Sequence, residues 1–67
     1  MEVFNLGFRI DLLIDSCVIV EVKSIDALAS IDSAQLLTYL RLSGCRLGYL
    51  INFGALMIKH GIKRIVL

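Results

Sequence analysis

Proline is absent from this chain of 67 residues, and no low-complexity segment or internal repeat interrupts it. Nothing marks a linker, so residues 1–67 read as a single domain. No apolar run reaches the roughly 18–20 residues a spanning helix needs. The best stretch, Leu47 to Ile58, is broken by Gly48, Asn52 and Gly54. The opening residues Met-Glu-Val-Phe-Asn-Leu-Gly lack the basic region and cleavage pattern of a signal peptide. The expectation is a cytoplasmic chain with no membrane partner. Cys17 and Cys45 have no CxxC spacing, and the single histidine, His60, has no ligand neighbour in sequence. Free thiols fit this better than a disulfide or a zinc site. A formal net charge of +1 neither favours nor excludes nucleic acid.

Apolar side chains, by contrast, are in excess. They make up 58% of the residues, against roughly 45–50% in ordinary globular domains. A domain this small buries only about 60% of the surface its unfolded chain exposes. The surplus implies burial against another copy of the chain, or against a missing N-terminal part of the same protein.

The central stretch runs from Arg9 to Lys23, two apolar runs on either side of Asp15-Ser16-Cys17, with charges at alternate positions. That pattern predicts a β-hairpin. With Ile14 opposite Val18, Ile10, Leu12, Ile14, Val18, Val20 and Val22 share one face. Arg9, Asp11, Leu13, Ile19, Glu21 and Lys23 share the other. Asp11 then lies directly opposite Glu21, with Cβ atoms about 4.5–5.5 Å apart, where like charges are destabilising. Something positive belongs between them: Arg9, Lys23 or a bound cation. The plainer reading makes these charges the solvated face of a small sheet.

Ser24 to Ala29 reads as a loop. A helix follows from Ser30 or Asp32, both good N-caps, and Asp32 with Gln35 approximates a capping box. It runs to about Ser43, with Gly44 as its stop. Ala34, Leu36, Leu37 and Leu40 form its apolar stripe, and Gln35 and Tyr39, four apart, lie on an adjoining face. Arg46 to Asn52 suits an inner strand parallel to the second hairpin strand. Lys59-His60-Gly61 reads as a basic turn before a last strand, Ile62 to Leu67. Lys59, His60, Lys63 and Arg64 suit either phosphate contacts or a charged sheet edge. The pattern predicts an α/β fold: a mixed sheet with a β-hairpin, one crossover helix and one or two further strands.

Asp11, nine intervening residues, then Glu21-Val22-Lys23 resembles the motif of the PD-(D/E)XK nucleases, and Gln35 with Tyr39 resembles the Gln-x-x-x-Tyr helix motif of several of its branches. More specifically, five segments together resemble the C-terminal half of the GxxExxY proteins, a bacterial and archaeal family of that superfamily. They are residues 7–13, 18–23, 34–40, 48–54 and 62–65. Ile10 stands where the superfamily name has proline. The GxxExxY helix, whose glutamate joins the site in that family, has no counterpart here, so the expectation is a truncated domain.

The resemblance implies a restriction-endonuclease-like core and metal-dependent hydrolysis of DNA phosphodiester bonds. Magnesium takes one or two carboxylates and fills its shell with other oxygens, and Asp11 and Glu21 supply such a pair for Mg2+ or Mn2+. The backbone carbonyl of Val22 adds a third oxygen. Lys23 would orient or deprotonate the attacking water and offset charge on the phosphorane-like transition state, with Gln35 and Tyr39 supporting the site. Loss of the N-terminal helix makes an inactive enzyme the variant of this reading. The alternative is a non-catalytic, oligomeric interaction or nucleic-acid-binding remnant of the same fold.

Overall fold

The computed structural model describes residues 2–3 and 9–67. Two short strands, β1 (Glu2–Val3) and β2 (Arg9–Ile10), pair antiparallel with Glu2 opposite Ile10. The side chain of Arg9, and with it the expected role between the carboxylates, lies outside what is described.

The hairpin forms in the expected register. Strands β3 (Leu12–Ile14) and β4 (Val18–Lys23) are antiparallel with Ile14 opposite Val18 and Leu12 opposite Val20. The Cys17 N–H closes the turn on the Ile14 carbonyl at 3.0 Å. Asp15 and Ser16 take φ values of 51° and 56°, the left-handed region, which aspartate visits more readily than most residues.

Helix α1 (Ser30–Ser43) leads to β5 (Leu47–Asn52), which lies parallel to β4 with Ile19 opposite Gly48 and Lys23 opposite Asn52. A 3-10 turn at Ile58–His60 includes Lys59 and His60 of the expected basic turn, and β6 (Ile62–Val66) closes the sheet antiparallel to β5. The order is β3-β4-β5-β6. This mixed four-stranded sheet with one helix is the expected α/β restriction-endonuclease-like arrangement.

Helix α1 begins at Ser30, as expected, but its N-cap is Ala29 and not Ser30 or Asp32. Asp32 sits in the first turn, and its Oδ2 accepts the Ala29 N–H at 2.8 Å, so it satisfies a donor that would otherwise lack an intrahelical partner. The helix ends as expected at Gly44, at φ 81°, whose N–H reaches the Leu40 carbonyl at 3.0 Å; glycine adopts this backbone without a Cβ penalty. Leu36 and Leu40 are fully buried and Leu37 packs beside them, but Ala34 is exposed and takes no part in the core.

The face that α1 covers is the one that carries the charges. Ile19, Leu36, Leu40, Cys45, Leu50 and Ile65 form the core, with Leu13 against it. Gly48 permits this approach, since a Cβ there would stand 3.0 Å from the Leu36 side chain. On the other face Leu12, Ile14 and Val22 are 48%, 43% and 44% exposed. Ile10 departs from the expected alternation: it is fully buried in the core, because the bend at Asp11 interrupts the pleat between β2 and β3 and turns it away from Leu12.

Candidate active site

Asp11 occupies the bend between β2 and β3, one step beyond the Leu12–Val20 pair and so opposite Glu21. Two bonds fix it there. Its Oδ2 accepts the Val22 N–H at 2.9 Å, and its own N–H reaches Glu21 Oε1 at 3.5 Å. The cross-strand neighbours drawn from the sequence are therefore brought together.

Glu21 is only 6% exposed, so the solvated-face reading does not describe it. Burial raises its pKa above the ordinary glutamate value, and the nearby Asp11 carboxylate raises it further. The Asp11 N–H and the Lys23 charge act the other way. Its anion is thus poorly solvated and crowded by a second anion, an arrangement that a cation relieves.

Lys23 is not that cation within the protein itself. Its Nζ donates to Gln35 Oε1 at 3.0 Å and lies 3.7 Å from Asp32 Oδ1. Among the described residues it makes no ion pair with Asp11 or Glu21. Gln35 in turn donates from Nε2 to the Tyr39 hydroxyl at 2.9 Å, and Tyr39 packs half-buried against the core. One helix face thus holds a chain from Lys23 through Gln35 to Tyr39.

The donor set fits a hard divalent cation. Asp11 and Glu21 offer carboxylate oxygens from neighbouring strands, and Val22, next after Glu21, donates its N–H to Asp11. In an extended strand the N–H and C=O of one residue point to the same edge. The Val22 N–H is directed at Asp11, so its carbonyl lies on that side too. No group of three or more His, Cys, Asp or Glu side chains suited to a metal occurs among the described residues, so a cation held by this pair would need its other ligands from non-side-chain oxygens.

A family model described as the PD-(D/E)XK nuclease superfamily matches residues 2–65. The chain belongs to that superfamily. No curated protein and no solved structure matches it. Asp11, Glu21 and Lys23, which resemble the pattern that names the family, lie within the matched range, towards the end of the sheet where the loops after β4 and β5 meet.

Two residues escaped the sequence reading. Asn52, 1% exposed, locks those loops together: its side chain takes the Ile25 N–H at 3.0 Å and the Gly54 N–H at 3.0 Å, and donates to the Ile25 carbonyl at 2.9 Å. Asp32 read only as a cap. Its spacing of three from Gln35 and seven from Tyr39 already placed all three on one helix face. The basic residues do not form one patch. Lys63 and Arg64 are adjacent on β6, so they point to opposite faces, Lys63 beside Leu50 and Arg64 beside Tyr49. They lie on an edge strand, where charge discourages pairing with another chain.

Proposed function

We propose that this chain is a metal-dependent nuclease-type domain acting on DNA phosphodiester bonds, of the GxxExxY branch. The observation that carries the reading is the pairing of a bend carboxylate, Asp11, with a buried strand carboxylate, Glu21, beside a lysine held from the helix. The Lys23 charge and the Asp11 and Val22 N–H groups offset the pairing only in part, since the Glu21 pKa stays raised, and a bound cation would offset the rest.

Bound Mg2+ or Mn2+ would supply Lewis-acid polarisation of a phosphate oxygen and an acidified water. Asp11, Glu21 and the Val22 carbonyl would hold it. Lys23 keeps an ammonium near the reacting phosphate, where it orients the attacking water and offsets charge developing on the phosphoryl oxygens. Gln35 holds that ammonium by its Oε1, and Tyr39 holds Gln35, so the helix fixes the lysine's position. The reading extends to a cytoplasmic setting, in keeping with Cys17 and Cys45 as free thiols.

The test is incubation of plasmid and single-stranded DNA with Mg2+ or Mn2+, with and without chelator, alongside Asp11→Ala and Lys23→Ala. Metal-dependent cleavage by the wild type alone supports the reading. Wild-type cleavage no greater than that of the variants removes it.

A second reading has its own observation. Leu12, Ile14, Val22, Ile62 and Val66 are between 43% and 56% exposed on one face of the sheet. Such a face favours a non-catalytic, oligomeric or nucleic-acid-binding remnant of the fold, covered by a second copy or by a missing N-terminal part of the protein.

A further inference from the structure

The lysine of this site had two places to go. Lys23 follows Glu21 by two residues and shares its face of β4, and a four-carbon stem reaches either the carboxylate pair or the helix. Coulomb's law favours the pair, which carries two negative charges against one on Asp32. Yet the ammonium sits on the helix, 3.0 Å from Gln35 Oε1 and 3.7 Å from Asp32 Oδ1.

We propose that Asp32 is a positioning residue: it draws the Lys23 ammonium onto α1 and off the Asp11–Glu21 pair, leaving that pair for a divalent cation. The inference rests on the metal-site reading above and adds a residue to it. Gln35 alone does not explain the choice, because a neutral amide competes poorly with two carboxylates for an ammonium. Asp32 is already fixed. Its Oδ2 is tied to the Ala29 N–H at 2.8 Å, so Oδ1 is held toward Lys23 without further loss of side-chain freedom. The Lys23 and Asp32 side chains are only 21% and 12% exposed, which makes the attraction stronger than that of a solvated surface pair. Of the three ammonium donors, one goes to Gln35, with Asp32 held at ion-pair distance, which leaves donors for a phosphate or water oxygen.

An aspartate that merely caps the helix predicts a different result from one that steers a lysine, and Asp32→Asn separates them. Asparagine keeps an oxygen for the Ala29 N–H and loses only the charge. The first measurement is metal-free urea unfolding of the wild type, Asp32→Asn, Lys23→Met and the double variant. Non-additive effects are expected, and additive ones overturn the proposal whatever the metal data show. The second is Mn2+ affinity of the same four proteins by titration calorimetry. In the wild-type background Asp32→Asn should weaken Mn2+ binding by about tenfold, the lower end for residues that orient metal ligands. With Lys23→Met the same change should cost less than about twofold. No loss, or an equal loss in both backgrounds, overturns the proposal, since Asp32 would then act without the lysine. If the unfolding effects are non-additive but the wild type binds no Mn2+, the hold on Lys23 stands and the metal-site reading falls.

Discussion

The two faces of the β3–β6 sheet invert what their composition suggests. The face bearing Asp11, Glu21 and Lys23 is the one α1 covers, with Ile19, Leu50 and Ile65 fully or nearly buried beneath Leu36 and Leu40. The face made mostly of Leu, Ile and Val stands open at Leu12, Ile14, Val22, Ile62 and Val66, with Val20 buried among its neighbours and Arg64 its charge among the described β3–β6 positions. Hydrophobicity alone would have buried the second. The difference lies in geometry: Gly48 lets the helix approach one side of β5, and Gln35 and Asp32 give Lys23 a partner there. A polar face can be buried when its charges are matched from the covering element. The apolar face has no such claim on α1.

This contrast breaks most decisively at the charges themselves. Asp11→Ala or Lys23→Ala should lower metal-dependent cleavage about a hundredfold or more, while the fold survives, as circular dichroism would show. Equal cleavage by wild type and both variants would separate the buried charges from chemistry. The next largest effect belongs to packing on the same face. Leu50→Ala removes a fully buried side chain from the middle of the core and should cost about 2–5 kcal/mol, measured by urea unfolding. In so small a domain that approaches the whole of its stability.

How much of this was legible beforehand follows from which interactions are local. The hairpin register, the Gly44 stop and the order of elements rest on alternation, turn residues and one glycine, all readable within a few positions. The proximity of Asp11 to Glu21 followed from register alone. What was hidden depends on tertiary choice. Nothing in residues 9–23 says which face a helix starting at Ser30 will cover, so Glu21 could be read as solvated when it is buried. Ile10 was placed with Leu12 because perfect alternation was assumed through Asp11, where the strand bends. Asp32 read as a cap because its link to Lys23 spans nine residues and two elements.

Glu21 offers a smaller and directional effect. Its pKa is raised in the folded protein by burial, then by Asp11, so across the interval between the unfolded and folded values the native state binds more protons. Stability then falls as pH rises through that interval and stays lower above it. Glu21→Gln should therefore raise the melting temperature of the metal-free protein at neutral pH, with the gain vanishing below the ordinary glutamate range. Added Mn2+ should stabilise the wild type and not the variant. A gain that persists at low pH would trace the effect to packing and not to charge.

The open face gives the smallest effect on folding and the clearest test of what that face is for. Val22 and Ile62 are 44% and 48% exposed, and both point away from α1. Val22→Thr with Ile62→Thr keeps β-branched side chains in their strands and should change monomer stability by about 0.5 kcal/mol or less per site, as for surface substitutions. The same pair of changes places two hydroxyls in the apolar field and should lower self-association in sedimentation velocity across a concentration series. Core variants such as Leu50→Ala would lower association only by unfolding the chain, whereas the threonine pair leaves unfolding nearly untouched. If the wild type is monomeric throughout, or the threonine variant associates as strongly, the open face is not where copies meet. The contrast between the two faces would then lie in how each is solvated and not in how copies of the chain meet.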